Sequence, residues 1–313
     1  MHGCATLFAV ASLLTGFPGC ALEWQPVSPA GVPSGFKTAE ELLDALETAD
    51  QGMESLTADV KYDKTFEIQG DRQARFGRLW FVSSPPEEPG GIPRRRFAVK
   101  FDRLFIGSVR RTEDKTYIFD GRWMMEKDGV EKFYQKKQVV GPGEHFDPLK
   151  VGEGPFVLPI GQRKADIKQR YNVELLPAAD GLQPGKDATE DERKAAQTAV
   201  DDVAGSWQLR LTPRERVEEQ EFTEVRLWYK RGAQGELLPR MARTVNSAGD
   251  VSNVLLINVQ VQLAGGPENA EARVPAELLD TTPPPGWDGR TESWRKPGAA
   301  EAPVREGPDA GDR

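Results

Sequence analysis

The sequence predicts an α+β protein that is mainly antiparallel β: an unclosed, strongly curled β-barrel of about ten strands, with a covering N-terminal helix and an apolar lid segment. Three observations support this prediction. Apolar and polar side chains alternate over many short segments that are separated by turns. Only one segment has the apolar spacing of a long amphipathic helix. No helical pattern lies between most successive strands, which favours antiparallel neighbours.

The helix is predicted to begin near Thr38. Thr38 and Glu41 have the spacing of a capping box, in which the Thr hydroxyl accepts the N3 amide and the Glu side chain reaches back to the cap amide. Leu42 and Leu46 then lie on one face at helical spacing, and Gly52 marks the helix end. This segment is the main cover that the sequence offers for an apolar sheet face.

From Leu56 the period of the apolar residues changes to two. Lys64 alone interrupts the apolar series, whose members are Leu56, Ala58, Val60, Tyr62, Phe66 and Ile68. A strand of roughly thirteen residues is much longer than the usual five or six. Long strands twist and coil, so the sheet is expected to wrap around its cover.

Nine further strands are predicted from alternation and turn signals, at residues 75–83, 97–101, 115–119, 122–127, 131–140, 207–211, 225–229, 237–245 and 254–261. Two segments interrupt this series. Residues 147–160 are apolar but too rich in Pro and Gly for a strand, which predicts a helical turn or loop that packs onto the sheet. Residues 178–205 contain good helix formers without an apolar stripe, which predicts an exposed insertion.

The two ends of the chain differ from the middle in composition. An apolar run at residues 4–14 has the length of a signal-peptide core and is shorter than the roughly 20 residues of a membrane span. We therefore predict a signal peptide at 1–21, a flexible spacer at 22–36, the folded domain at 37–287 and a disordered tail at 288–313. Cys20 follows Gly19 as in a lipobox, which makes Cys20 a candidate for lipidation.

Composition argues against several classes of function. The formal net charge is −8, whereas binding to nucleic acid needs a clustered basic face. Two cysteines and two histidines cannot build a zinc site of the usual four-ligand kind at these spacings. His145 has no cysteine or carboxylate cluster nearby in sequence, so an enzyme is the least favoured class. The sequence predicts no catalytic residue, no metal, no cofactor and no nucleic-acid partner.

The predicted sheet has more apolar surface than the predicted helix can cover. About ten long strands present a large inner face, while one helix and one apolar segment lie over it. Curling the sheet around these covers closes most of that face and leaves a tapered apolar space. Such a space suits an alkyl chain.

In their order and spacing, these features resemble the bacterial outer-membrane lipoprotein carrier family, the LolA-like or lipoprotein-sorting proteins. The resemblance extends from about Thr38 to Trp287. Besides the helix and the long strand, it rests on Gly77-Arg78-Leu79-Trp80, Pro85-Pro86, Asp120-Gly121-Arg122-Trp123, Gly154-Pro155-Phe156 and Pro283-Pro284-Pro285-Gly286-Trp287. Its carriers often have an Arg immediately before the Pro that ends the Gly-x-Leu-Trp strand, where it helps to hold the lid shut. Here Ser83-Ser84 precede Pro85.

The resemblance implies an unclosed antiparallel barrel that holds acyl chains in an apolar cavity. Transferred to this sequence, the cavity would be lined by the helix, the sheet and the lid. The candidate lining residues are Leu42, Leu46, Leu56, Leu79, Phe97, Val99, Phe101, Phe156, Leu158 and Ile160. Plain core packing is the alternative reading for the sheet residues, because a cavity wall and a core have the same composition.

Two functional hypotheses follow. In the first, an exported, non-catalytic periplasmic protein binds the acyl chain of a lipid or lipoprotein and moves it between membranes, with membrane-bound donor and acceptor proteins as partners. In the second, the same fold is an envelope sensor or interaction module that acts through a protein partner and is anchored through Cys20 if that residue is lipidated.

Metabolic labelling with palmitate separates these hypotheses. A soluble carrier whose signal peptide is removed should incorporate no label when the full chain is produced in a bacterium. The variant Cys20→Ala and its control Cys4→Ala should then behave alike. Label that is lost in Cys20→Ala but kept in Cys4→Ala, together with a co-purifying protein partner, would instead favour the anchored sensor.

Overall fold

The computed structural model describes residues 35–85, 93–141, 149, 151, 157–215, 222–233 and 235–294. The predicted signal peptide at 1–21 with Cys20, most of the spacer at 22–36, and the tail beyond Trp294 lie outside the described residues. His145 and the lid residue Phe156 also lie outside them.

The described chain forms three α-helices and one sheet. The helices are α1 (Ala39–Gln51), α2 (Lys164–Arg170) and α3 (Glu190–Asp202). The strands are β1 (Met53–Phe66), β2 (Asp71–Ser84), β3 (Arg94–Ile106), β4 (Val109–Phe119), β5 (Trp123–Asp128), β6 (Phe133–Gln138), β7 (Tyr171–Leu176), β8 (Trp207–Pro213), β9 (Phe222–Arg231), β10 (Leu237–Asn246), β11 (Val251–Leu263) and β12 (Asp288–Glu292). Two short 3-10 turns, Ala270–Ala272 and Ala276–Leu279, precede β12.

The sheet consists of two meanders that meet at its centre. Its strand order is β12-β6-β5-β4-β3-β2-β1-β11-β10-β9-β8-β7. The first meander runs outward from β1 to β6, and the second runs inward from β7 to β11, which pairs with β1. The edge strands β7 and β12 lie at opposite ends of this order, so the barrel is unclosed. The predicted fold class is confirmed, with twelve described strands instead of about ten.

Helix α1 begins at the predicted cap. The Thr38 hydroxyl accepts a hydrogen bond from the Glu41 amide at 3.2 Å. The Glu41 carboxylate accepts from the Lys37 amide at 2.7 Å, one residue before the cap amide that the capping-box pattern predicts. Leu42 and Leu46 are buried on the face that is turned to the sheet. The cap satisfies donors that would otherwise lack partners at the helix start.

The alternation predicted for β1 is present in the structure. Leu56, Ala58 and Val60 are buried on the inner face, while Thr57 lies on the outer face, where its hydroxyl donates to the Glu271 carbonyl at 2.8 Å. The register between β1 and β2 is unbroken from Ser55 to Phe66. This pairing fixes which face every side chain of the long strand occupies, since a slip of one residue would exchange the two faces.

Two apolar clusters occupy the inner face. In the first, which we call the α1 core, Leu42, Leu43 and Leu46 pack against strands β7 to β10. The second, which we call the Phe97 core, is formed by strands β1 to β4 and β11 with Leu149, Leu158 and Ile160 above them. The helix therefore covers one half of the sheet, while the predicted lid covers the other half with Leu149, Leu158 and Ile160 and also reaches the α1 core with Val151 and Val157.

The outer face is also covered in two places. The segment 178–205, predicted as an exposed insertion, contains α3, which has no buried residue. Its flanking residues Ala178, Leu182 and Val203 are nevertheless buried against β9 to β11, so the segment is anchored to the sheet. On the other half, Leu279 packs on the outer side chains of β3 to β5.

Three elements were not predicted. Strand β7 (Tyr171–Leu176) and helix α2 (Lys164–Arg170) lie between the lid and the insertion, and β12 (Asp288–Glu292) lies where the disordered tail was predicted to begin. All five residues of β12 are exposed, so this strand has no apolar alternation, and its order comes from parallel pairing with the edge of β6. Phe36, assigned to the spacer, packs edge-on against Trp207 at 4.9 Å between ring centroids.

Gly77 is required where the backbones of the paired strands β2 and β3 approach each other closely at a bulge. The register between these strands shifts after Phe76, and a Cβ atom at Gly77 would lie 1.9 Å from the Lys100 carbonyl oxygen. We expect Gly77→Ala to lower the free energy of unfolding by at least about 2 kcal/mol, because the two backbones would have to separate. Urea unfolding measures this change.

Gly185→Ala is the matched control for Gly77→Ala. A Cβ atom at Gly185 would meet no atom within 4 Å, so this variant should unfold like the wild type. Equal stability of the two variants would contradict the close approach of β2 and β3.

Candidate functional site

The described residues of the predicted lid lie over the two inner cores and form neither helix nor strand. We call residues 149–162 the cover segment, of which 149, 151 and 157–162 are described. Gln162 organises it from within: its side-chain amide donates to the carbonyls of Leu149, Leu158 and Ile160, the last two at 3.1 and 3.2 Å. A single buried amide thus draws together two parts of the cover segment.

A buried ion pair joins the cover segment to the sheet and to α1. Arg95, on β3, donates from Nη1 to the Gly161 carbonyl at 2.9 Å and from Nη2 to the Asp50 carboxylate near the end of α1. The two side chains are 3% and 11% exposed, so water screens this pair weakly. One guanidinium therefore holds a helix, a strand and the cover segment at one point.

The polar groups around this ion pair are only partly compensated. Burial raises the pKa of the Asp50 carboxyl, and the neighbouring Arg95 opposes that rise. Burial also raises the pKa of the Tyr229 hydroxyl, with Asp50 adding to the effect. Within the described part of the chain, Asp50 Oδ1 and the Tyr229 hydroxyl have no hydrogen-bond partner. The site keeps polar groups in an apolar setting, where they are costly unless they are paired.

Most of the predicted cavity residues come together in one cluster. Leu56, Leu79, Phe97, Val99, Phe101, Leu158 and Ile160 all belong to the Phe97 core, and each is at most 3% exposed. Leu42 and Leu46 lie apart from them in the α1 core. Phe156 is outside the described residues. In the described arrangement the cover segment packs on the wall around Phe97, so this wall is closed and not an open hollow.

An open pocket of about 360 Å³ lies where the two inner cores meet. We call it the mouth pocket. Its apolar lining comes from both cores, with Val157, Phe222 and Ala242 from one and Tyr62 and Val254 from the other. Its polar lining lies at strand ends and consists of Lys64, Thr244, Asn246, Ser247, Asp250 and Ser252. The lysine that interrupts the apolar series of β1 is part of this polar rim.

Sequence reasoning missed the ion pair between Asp50 and Arg95. Three adjacent arginines, Arg94, Arg95 and Arg96, are typical of a solvated loop, whereas Arg95 is 4% exposed. The signal was the two-residue period, because Arg95 shares a face with Phe97, Val99 and Phe101. Arg95 also lies opposite Ser83 in the register of β2 and β3, next to the position where the carriers often have their arginine.

Among the described residues, no group of three or more His, Cys, Asp or Glu side chains is arranged to hold a metal ion. In the same part of the chain, no helix has both the length and the apolar character needed to cross a membrane.

Comparisons with known proteins gave structural neighbours only. No family model matches the sequence, and no curated protein matches it. An uncharacterized conserved protein from Thermus thermophilus is similar in structure, with a TM-score of 0.39 and 12% identity over 81% of this chain and 99% of that one. A LolA superfamily protein from Nitrosomonas europaea has a TM-score of 0.29 and 12% identity over 79% of this chain and 99% of that one.

A third neighbour is a domain from Vibrio parahaemolyticus that is provisionally assigned to outer-membrane lipoprotein sorting. Its TM-score is 0.30, with 12% identity over 76% of this chain and 97% of that one. All three TM-scores are low, and the fold of this chain is defined by its own strand order.

Removing Arg95 should destabilise the protein strongly. In Arg95→Met the Asp50 carboxylate stays buried without its counter-ion, so we expect a loss of about 3–5 kcal/mol in the free energy of unfolding. The double variant with Asp50→Asn should lose less than the sum of the single losses. Urea unfolding of the four proteins measures the coupling, with the exposed Arg110→Met as control. Additive losses would contradict a direct interaction.

The same pair predicts a dependence of stability on pH. The pKa of Asp50 is raised in the folded state, so the folded protein binds this proton more tightly than the unfolded chain does. Stability should therefore decrease as pH rises from about 4, the ordinary aspartate value, through the raised pKa. Arg95→Met should extend this decrease to higher pH, and Asp50→Asn should abolish it. A profile unchanged by Asp50→Asn would show that another group is responsible.

Proposed function

We propose that this chain is a non-catalytic binding protein that holds the acyl chain of a lipid or lipoprotein on the inner face of the curled sheet. The polar group of the ligand lies at the mouth pocket, and the alkyl chain follows the wall around Phe97 after the cover segment moves aside. The single observation that carries this proposal is the pocket at the junction of two apolar cores, because Val157 of the cover segment lines it together with Tyr62 and Val254 of the Phe97 core.

The mouth pocket has the character of an amphiphile site. Its volume of about 360 Å³ lies in the range of small-molecule sites, which combine an apolar lining with a few polar groups that fix orientation. Lys64 lies 4.0 Å from Asp250 at the rim, and the Tyr62 hydroxyl lies 3.5 Å from the Ser252 hydroxyl. These groups offer donors and acceptors to a headgroup or an ester, while Val157 and Val254 face the chain.

An alkyl chain can replace the cover segment at little net free energy. Leu149, Leu158 and Ile160 are the cover side chains buried in the Phe97 core. Exposing these three side chains to water is unfavourable by about 5–9 kcal/mol. Burying ten methylene groups of a ligand is favourable by about 8 kcal/mol. The two terms are similar, so displacement is feasible for a chain of about this length or longer.

The hydrogen bond from Arg95 to the Gly161 carbonyl opposes displacement of the cover segment. Arg95 is the described contact that links the end of the cover segment to β3 through a charged group. Arg170 makes a second link by donating to the Val151 carbonyl at 2.8 Å. Opening breaks hydrogen bonds of this kind, while the Asp50 pair with Arg95 stays intact and keeps the guanidinium neutralised.

Export to the periplasm belongs to the same proposal. A periplasmic binding protein of this kind would receive an acylated cargo from a membrane-bound donor and pass it to an acceptor. The support is the apolar run at residues 4–14 and the resemblance to the lipoprotein carriers. An envelope sensor of the same fold is the alternative.

Lipid should co-purify with the full chain from a bacterial periplasm. We expect native mass spectrometry to detect a bound acyl lipid, and a fluorescent fatty-acyl probe to bind the delipidated protein reversibly. Reproducible absence of lipid together with no uptake of the probe would contradict acyl binding. A co-purifying protein in its place would favour the sensor.

A pair of matched substitutions tests where the alkyl chain of the ligand binds. Phe97 and Phe105 lie on the same strand. Phe97 is on the inner wall, whereas Phe105 is on the outer face and packs edge-on against Phe76, with 5.6 Å between the ring centroids. We expect Phe97→Trp to weaken binding of a long-chain probe about tenfold, because overpacking of this wall by a fused ring is unfavourable. Phe105→Trp should bind like the wild type. Equal effects of the two variants on probe affinity would mean that the alkyl chain binds elsewhere. Urea unfolding of both variants shows whether a loss of stability contributes to the result.

A further inference from the structure

A second pocket lies on the outer face of the sheet, opposite the mouth pocket. It has a volume of about 240 Å³ and lies between α3 and strands β1, β2, β10 and β11. We call it the outer pocket. Its apolar lining includes Leu182, Met241 and Leu255, and its cations are Lys61, Arg72 and Arg243. The proposed acyl function uses none of these residues.

Arg243 is an unusual cation in this pocket. In the register of β9 and β10 it lies directly opposite Arg226, and like charges in such pairs repel. Arg226 is neutralised by Glu224 and Asp180, each at 2.7 Å. Among the described residues, the Arg243 guanidinium has no hydrogen bond and no ion pair. Burial and the neighbouring Arg226 lower its pKa, and the attraction of Glu224 offsets these effects only in part.

The carboxylates of the outer pocket already have partners. Both oxygens of Asp63 accept hydrogen bonds from Arg72. Asp202 lies 3.6 Å from the Arg240 guanidinium. Lys61, like Arg243, forms no ion pair with a described residue. The pocket therefore keeps two cations without counter-ions beside an apolar floor, in a protein whose net charge is −8.

We propose that the outer pocket binds a small amphiphilic carboxylate. The carboxylate accepts hydrogen bonds from the guanidinium of Arg243, whose planar donors match a carboxylate with two parallel bonds. The alkyl part lies on Leu182, Met241 and Leu255, beneath Ala199 of α3. A bare inorganic anion would leave this floor uncovered, and a neutral alkyl compound would leave Arg243 without a counter-ion.

Methionine methyl groups distinguish the two faces of the sheet. The chain has five methionines, of which Met241 lines the outer pocket while Met53 and Met124 pack with the Phe97 core. We expect octanoate, titrated into the full chain labelled with [13C-methyl]methionine, to shift the Met241 signal at the lowest concentrations. Octanol and inorganic phosphate should shift it at least about tenfold more weakly, since each lacks one of the two interactions.

The variant Arg243→Leu tests the role of the charge. It should weaken the octanoate-dependent shift of Met241 at least about tenfold and abolish the preference for octanoate over octanol. Its melting temperature without ligand should be equal to or above that of the wild type, because the repulsion with Arg226 is removed. Arg111→Leu, at an exposed position of β4, is the matched control and should leave the titration unchanged.

Three results would overturn the proposal. Octanoate that shifts only Met53 and Met124 binds the inner face alone. Equal response to octanol means an apolar groove without anion recognition, and equal response to phosphate means a bare anion site. The acyl function is tested by probe binding at the Phe97 wall, so each proposal can fail while the other stands.

Discussion

The buried ion pair between Asp50 and Arg95 is the constraint on which the inner face depends. Taking a carboxylate and a guanidinium out of water is unfavourable, and their attraction compensates only when the geometry is good and further hydrogen bonds are made. Here Arg95 also donates to the Gly161 carbonyl, so the guanidinium joins α1, β3 and the cover segment. Because the charge is buried, any rearrangement of the cover segment has to leave this pair together.

The regular parts of the fold were predictable because their periods are long and unbroken. Helix α1 has a cap and an apolar face, and β1 alternates over many residues, so local pattern and burial agree. Most of the candidate lining residues share one wall for the same reason, since alternate residues of paired strands share a face. Lys64 broke the pattern of β1, and the structure places it at the polar rim of the mouth pocket.

What could not be predicted depends on tertiary pairing. Strand β12 is fully exposed and is ordered only by the edge of β6, so no pattern in its own sequence marks it. The alternation of β7 is present in Tyr171, Val173 and Leu175 but is short. The division into two inner cores was also hidden: Leu42 and Leu46 face β7 to β10, while the cover segment contributes Val157 to the α1 core and Leu158 to the Phe97 core. Sequence spacing predicts faces of elements, whereas it does not specify which elements meet.

Charged side chains are compensated differently at the two proposed binding sites, and this difference affects how reversibly a ligand would bind. On the inner face, the charges of Asp50 and Arg95 are paired within the protein, and the proposed binding of an alkyl chain would exchange its apolar contacts for those of the cover segment. Since each of these terms is several kcal/mol and they oppose one another, the net affinity is small compared with either term. A protein that has to release its cargo benefits from such a balance. In the outer pocket, the proposed carboxylate would instead be held by Arg243, which forms no ion pair with a described residue.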